Sequence, residues 1–338
     1  MKVVVPLPTG MPDEYQALRD EGHEVVLGRS SPEELYRSPV GEGELIELIR
    51  DADGVILSAM DGRLMDEAPN LHTIVVAAIG HERIDKDAAT ERDILVCNSP
   101  SPENFIGVAE ATVGVMISLS KRFKRKEARL RGGEWGMRID RGFLLSGKTV
   151  GIIGLGRVGS NLAKRLAGWD VNLLAYDPYV PAGTAMGLDV TMVDLPTLLA
   201  ESDFVTLHVV LTPETTGMID EAELRQMKPN AYLINTSRGG AVVSEAVVKA
   251  ISENWIEGAA LDVFPEEPLP EDSALRDLDP DRVMLTPHNL AGSDASRAGN
   301  LRLAAEGMVT ALRGMVPVTN VNPEVLPRWT ERIGPLVK

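Results

Sequence analysis

The chain is 338 residues long, with 44% hydrophobic and 25% charged residues, enough for two domains with substantial cores. Its formal net charge of −16 argues against nucleic acid, whose phosphates would be repelled, and no apolar run approaches the roughly 20 residues that span a bilayer. Cys97 is the single cysteine, so no internal disulfide forms, and no Cys/His cluster has metal-ligand spacing; the expectation is a cytoplasmic protein with no metal, no membrane and no nucleic-acid partner.

Lys2 followed by Val3-Val4-Val5 begins like a signal peptide, but Pro6, Pro8, Asp13 and Glu14 interrupt the apolar region such a peptide needs. A first strand is predicted instead over residues 3–7. Further strands are predicted over 24–27, 54–58, 71–78 and 94–98, with helices over 13–19, 44–50 and 84–90. In the second of these helices Leu45, Ile46 and Ile49 share one face. The alternation reads as a small parallel α/β layer without a Gly-rich nucleotide loop of its own. A long helix follows from about residue 104 to about 130. It is small and apolar early, through Val108, Ala109, Ala111, Val113, Val115 and Ile117, and basic late, through Lys121, Arg122, Lys124, Arg125, Lys126, Arg129 and Arg131. Those charges suit a solvated C-terminal face that complements the helix dipole better than an anionic partner.

The stretch Thr149-Val150-Gly151-Ile152-Ile153-Gly154-Leu155-Gly156-Arg157-Val158-Gly159 organises the second half. Its apolar start has the pattern of a parallel strand buried on both faces. Gly154, Gly156 and Gly159 follow at G-x-G-x-x-G spacing, and Val158, Leu162 and Leu166 line a helix that Gly168 can terminate. The first glycine permits a tight turn, the second admits a pyrophosphate to the backbone, and the third lets the helix lie close on the sheet. A second strand, Leu173-Leu174-Ala175-Tyr176, ends at Asp177, a carboxylate placed to bond both ribose hydroxyls. That acid repels a 2′-phosphate, so NAD is expected over NADP, with Arg157 facing the pyrophosphate from the glycine turn.

Strands over 204–209, 231–235, 258–263 and 282–286 continue this domain, with helices over 221–227 and 244–254; a helix over 296–313 then leads to an irregular tail ending at Lys338. The strand ends deliver chemistry where open parallel sheets bind ligands. Asn235-Thr236-Ser237 runs into Arg238 and Gly239-Gly240, Asp262-Val263-Phe264 into Pro265-Glu266-Glu267-Pro268, and Thr286-Pro287 into His288. A guanidinium fork grips a carboxylate through two parallel hydrogen bonds. An imidazole delivers a proton near neutrality, and a neighbouring carboxylate favours its charged form. Glu267 competes with Glu266 for that last role, Asp262 is free to contact the nicotinamide carboxamide, and His208 ends a strand near the cofactor edge.

With Val108-Ala109-Glu110, Gly133-Glu134-Trp135, Tyr176-Asp177-Pro178 and Met227-Lys228-Pro229 added to these motifs, the chain resembles the D-isomer-specific 2-hydroxyacid dehydrogenases nearly end to end. The resemblance implies an α/β protein of two doubly wound parallel-sheet domains with a cleft between them. Residues 1–102 plus 294–338 would form a flavodoxin-like substrate domain and 103–293 a Rossmann NAD-binding domain, hinged near Ser101 and Ser293. It implies Arg238, Glu267 and His288 as catalytic residues. NAD would contact Gly154, Gly156, Arg157, Val158, Gly159, Asp177, Pro178, His208, Val209, Thr236, Ser237, Arg238, Asp262, His288 and Ala291. The substrate would contact Ile79, Gly80, His81, Arg238 and His288. A homodimer through the NAD-binding domain is implied too, with no regulatory domain after the tail.

The expected reaction interconverts a small 2-keto acid, such as glyoxylate or hydroxypyruvate, and its D-2-hydroxy acid. Glu267 argues against the related formate dehydrogenases, which pair the histidine with glutamine. Phosphite-type oxidation on the same site and an NAD(H)-sensing binding protein without turnover are the alternatives. The substrate loop departs from the family's Gly-x-Gly-x-Asp: here it reads Ala78-Ile79-Gly80-His81-Glu82-Arg83-Ile84-Asp85, so His81 either reads a polar substrate or shapes the loop. Arg63, Arg83 and Asn104 are further candidates for reading the substrate's side chain. Val210 stands where proline is frequent, and Val243-Ser244 replaces a common Val-Asp pair.

Overall fold

Short runs of valine, isoleucine and leucine, apolar on both faces, build two parallel sheets in the computed structural model. It describes residues 1–6, 12–28, 41–136, 141–181, 185 and 187–334. The chain divides into two compact units, Met1–Asn104 with Gly292–Lys338, and Phe105–Ala291. Both are doubly wound α/β folds.

The first unit's sheet holds β1 (Lys2–Val5), β2 (Glu24–Leu27), β3 (Gly54–Ile56), β4 (Thr73–Val75) and β5 (Leu95–Cys97) in the order β2-β1-β3-β4-β5. That is the flavodoxin-like order. Alternate side chains feed two cores: Val4, Val55, Ile74 and Val96 one, Val3, Val5, Ile56 and Val75 the other. The second core is closed by Leu301 and Met308 of the Asp294–Leu312 helix and by Trp329. Trp329 corrects the expected irregular tail: it is fully buried on a helix, Leu326–Ile333, whose apolar side chains face inward. Asn322, also fully buried, fixes that segment through Val96 N–H to its Oδ1 (2.8 Å) and its own Nδ2 to the Ile94 carbonyl (2.9 Å). Of the strand expected over 3–7, Lys2–Val5 forms; Leu7 lies outside the described residues, as do Pro8 and 335–338.

The second unit's sheet holds β6 (Thr149–Ile153), β7 (Asn172–Tyr176), β8 (Thr191–Met192), β9 (Phe204–Leu207), β10 (Tyr232–Asn235), β11 (Gly258–Leu261) and β12 (Val283–Leu285), in the order β12-β11-β10-β9-β6-β7-β8. This is the Rossmann order with one more strand beyond its sixth. Val205, Leu207 and Leu233 face one core, and Ile152, Phe204 and Ile234 the other. The short β8 is not among the predicted strands, because two residues carry no periodicity to detect.

The helix expected from about 104 to 130 is two helices, Pro102–Lys121 and Phe123–Arg131. Arg122 adopts a left-handed conformation (φ 55°) between them, which breaks the run of helical hydrogen bonds. The basic residues are largely committed to the protein's own acids. Arg122 lies 3.5 Å from Glu257, Arg125 3.5 Å from Asp281, Arg129 2.5 Å from Glu134 and Arg131 2.7 Å from Glu127.

Candidate active site

Strand register decides which residues share an edge. Ile153 pairs with Tyr176 and with Leu207, Leu207 with Asn235, Asn235 with Leu261, and Leu261 with Leu285. These six lie at one level, so the residues that follow them, Asp177, Gly154, His208, Thr236, Asp262 and Thr286, line the carboxyl edge of the sheet. The chain reverses its strand order between β6 and β9, and the crevice at such a reversal is where doubly wound sheets bind ligands. Gly154 and His208 flank it.

The three glycines are required for three different reasons. Gly154 has φ +92°, and a Cβ there would stand 2.6 Å from the His208 carbonyl oxygen. A Cβ on Gly159 would stand 2.1 Å from the Gly154 carbonyl oxygen, so the Arg157–Leu166 helix can lie on the turn only without one. Gly156 has an ordinary φ of −71°, and no protein atom lies within 4 Å of where its Cβ would be. Nothing in the protein itself demands a glycine there; the open approach to its backbone suits a pyrophosphate. The Asp177 carboxylate accepts the Leu155 N–H (2.9 Å) and the Tyr179 N–H (2.9 Å), one on each oxygen, which ties the second strand's end to the glycine turn. Pro178 beside it is exposed, and Val158 is half-buried. Arg157 stands with its guanidinium carbon 5.1 Å from the centre of the Phe105 ring, a cation–π contact at the helix start.

Across the reversal, the His208 ring bonds Thr206 Oγ1 through Nε2 (3.0 Å), while its buried Nδ1 has no hydrogen-bond partner among the described residues. Burial pushes its pKa down to about 3, so the ring is neutral. Val209 next to it is half-buried. Thr236 faces Thr112 of the Pro102–Lys121 helix, with their hydroxyl oxygens 3.3 Å apart.

The acid and the imidazole meet. His288 Nδ1 lies 2.7 Å from Glu267 Oε2, and the other carboxylate oxygen accepts the Phe264 N–H at 3.0 Å. Glu267, not its neighbour Glu266, makes this contact. His288 Nε2 carries no hydrogen bond among the described residues, and the side chain is half exposed. The backbone holds it there at φ 50°, a conformation that a residue with a side chain adopts only when its surroundings impose it. Asp262 does the imposing. Its Oδ1 accepts the Thr286 hydroxyl (2.6 Å) and the N–H groups of Asn289 (3.1 Å) and Leu290 (3.1 Å), residues on both sides of His288. Burial pushes its carboxyl above the ordinary range, against the pull of those bonds. Asp262 is thus a loop anchor, with only a long contact (3.3 Å, to the Leu290 N–H) on Oδ2. Ala291, half-buried, ends this loop.

Arg238 follows β10, with Nη1 donating to the Ser237 carbonyl at 2.7 Å. Gly239 behind it lies against the Phe264 backbone so closely that a Cβ would stand 1.9 Å from the Phe264 carbonyl carbon. The arginine loop and the glutamate loop are thus packed backbone on backbone. In the first unit, the loop after β4 is pinned through Asn98 Nδ2 to the Ile79 carbonyl (2.8 Å) and Ile84 N–H to the His81 carbonyl (3.1 Å), with Ile79, Gly80 and His81 half-buried. Arg63 is engaged by Glu42. The sequence assigned no part to Asn235, Thr286 or the Phe264 N–H: Asn235 and Phe264 bond residues two or three positions on, whereas Thr286 meets Asp262 at the end of the adjacent strand.

Among the described residues no three His, Cys, Asp or Glu side chains are grouped to hold a metal ion, and no helix is long and apolar enough to cross a membrane. Residues 113–289 match the family model described as D-isomer specific 2-hydroxyacid dehydrogenase, NAD binding domain. The chain is 40% identical over 303 residues to a glyoxylate reductase of Thermofilum pendens, covering 85% of this chain and 86% of that one. It is 38% identical over 297 residues to a D-3-phosphoglycerate dehydrogenase of Methanocaldococcus jannaschii, covering 87% of this chain but only 56% of the relative. A crystal structure of a Thermus thermophilus protein is similar with a TM-score of 0.81 at 30% identity, covering 95% of this chain and 100% of that one.

Proposed function

The chain belongs to the D-isomer specific 2-hydroxyacid dehydrogenases and is an NAD-binding oxidoreductase of that family, and from that premise we propose that it interconverts a small 2-keto acid and its D-2-hydroxy acid. When bound, the dinucleotide supplies or accepts the hydride; the remaining work falls to side chains. Gly156 leaves the backbone open to the pyrophosphate, Gly154 and Gly159 shape the turn, and Asp177 stands at the ribose position, where its charge disfavours a 2′-phosphate. Arg238 holds the substrate carboxylate by its fork. His288 Nε2 gives a proton to the carbonyl oxygen as hydride reaches C2, and takes it back in the reverse direction. Glu267 keeps Nδ1 occupied, so that Nε2 is the nitrogen presented to substrate.

The observation that carries this reading is the 2.7 Å His288–Glu267 contact with the glutamate itself held by the Phe264 N–H, on the same sheet edge as the glycine turn. The loop from Ile79 to His81 contributes N–H groups for the carboxylate, and His81 favours a polar substrate. The domain boundaries follow the same reading: the unit with the five-stranded sheet binds substrate and the other binds NAD. A second copy of the chain covers the exposed Phe123, Leu130 and Trp135 of the NAD-binding unit, the last 87% exposed.

NADH oxidation measured against glyoxylate, hydroxypyruvate and pyruvate tests the assignment, with phosphite-driven NAD reduction run beside it. Turnover of glyoxylate or hydroxypyruvate, faster with NADH than NADPH, is expected. Tight NADH binding without turnover of any 2-keto acid would leave a sensing protein, and turnover of phosphite alone would move the substrate class.

A further inference from the structure

We propose that Asn235 is a positioning residue that sets the arginine of this site, an inference that rests on the reading of Arg238 as the carboxylate-binding group. Asn235 is completely buried at the end of β10, its backbone paired with Leu207 on one side and Leu261 on the other. Its carbonyl also accepts the Asp262 N–H at 3.0 Å. From this fixed point the side-chain amide reaches forward over the next three residues. Oδ1 accepts both the N–H (3.1 Å) and the hydroxyl (2.9 Å) of Ser237, and Nδ2 donates to the Arg238 carbonyl at 2.9 Å.

The chain between strand and arginine is thereby folded around one amide, with donor and acceptor both in use. The Arg238 guanidinium returns to the same turn by donating from Nη1 to the Ser237 carbonyl at 2.7 Å. Gly239 then meets the Phe264 backbone, and Phe264 donates to Glu267. Of the common side chains of this size, only asparagine supplies both an acceptor toward Ser237 and a donor toward Arg238. Aspartate offers two acceptors and faces a carbonyl oxygen; serine cannot span the turn. The geometry assigns Asn235 no contact with substrate; it acts through Arg238.

A double-mutant cycle separates this role from a general structural one. Asn235→Ser is expected to lower kcat/KM for glyoxylate by on the order of a hundredfold, the scale of a misplaced binding group, with KM raised and the Kd for NADH changed less than about twofold. In the Arg238→Ala background the same substitution is expected to cost less than about twofold. An equal loss in both backgrounds would overturn the inference, because the residue would then act independently of the arginine. If Arg238→Ala alone leaves turnover intact, the reading of Arg238 fails instead. Asn235→Asp, close in size, serves where the serine variant does not fold. It is expected to show the same dependence on Arg238 and to regain activity as pH falls, when its protonated carboxyl can again donate to the Arg238 carbonyl. A flat pH response relative to the parent, combined with additivity, would count against the role.

Discussion

Both sheets are doubly wound, and each has a point where its strand order reverses, yet the two points are built differently. In the seven-stranded sheet Gly154 and His208 follow the strands that flank it, and the glycine turn leaves the backbone of Gly156 open. In the five-stranded sheet β1 and β3 flank it, followed by Pro6 and Leu57. There a Cβ on Gly28 would stand 2.1 Å from the Pro6 carbonyl oxygen, and Leu57 is only 8% exposed. Among the described residues, the positions beside this second point pack against the protein's own atoms. Topology provides the crevice, and side chains decide whether a ligand can use it. Buried polar groups divide the same way: His72 and Asn322 lie within the five-stranded unit's own packing, whereas Asn235 and Asp262 brace loops that carry reactive groups.

The largest expected effect falls on the imidazole. His288→Ala should lower kcat by about 10²–10⁴-fold, the range for a lost general acid, with a much smaller effect on NADH binding. Steady-state kinetics with a fluorescence titration would show it, and a loss confined to KM would remove His288 from proton transfer. Arg238→Ala should lower kcat/KM by on the order of 10²–10³-fold with KM raised and kcat reduced, because a carboxylate loses its charged partner and its alignment.

On the five-stranded side the sharpest expectation is acid sensitivity. Burial is the main cause that pushes the His72 pKa down to about 4 from an ordinary 6.5. The unfolded chain then binds a proton that the folded chain refuses, so stability is whole above pH 6.5 and declines as pH falls toward 4, by up to roughly 3 kcal/mol. His72→Asn should flatten that part of the stability-versus-pH curve measured by urea unfolding; a slope identical to the parent's would show that other groups carry it.

The smallest effects discriminate between glycines. Gly159→Ala forces its Cβ onto the Gly154 carbonyl and should cost about 1–3 kcal/mol of stability. Gly156→Ala meets no protein atom and should unfold within about 0.5 kcal/mol of the parent, while weakening NADH by roughly tenfold, about 1.4 kcal/mol. Equal thermal shifts for the two would erase the distinction between a glycine kept for packing and one kept for ligand.

Much of this is legible in the residues alone. Runs such as Val150–Ile153 and Leu173–Tyr176 announce buried parallel strands, because a strand covered on both faces tolerates little else. The glycine spacing announces a dinucleotide turn, because the backbone itself must touch phosphate. What escapes is either short or distant. The Thr191–Met192 strand is too brief to show a period. The break at Arg122 depends on one residue's backbone angle. Trp329, in a tail rich in proline and charge, reads as loose until the apolar face it covers is known.

The alternation of strand and helix, the acidic balance and the fingerprint from Gly154 to Asp177 needed only the order of residues, since each reports physics acting within a few positions of itself. Tertiary structure alone chose Glu267 over Glu266 as the partner of His288, committed Asp262 to a loop 24 residues away, and wrapped the approach to Arg238 around Asn235. The Glu267 and Asp262 contacts hang on strand register, which sets residues far apart in the chain within hydrogen-bond reach and leaves no local mark, whereas the Asn235 turn closes over only three residues and is fixed by the folded backbone around it.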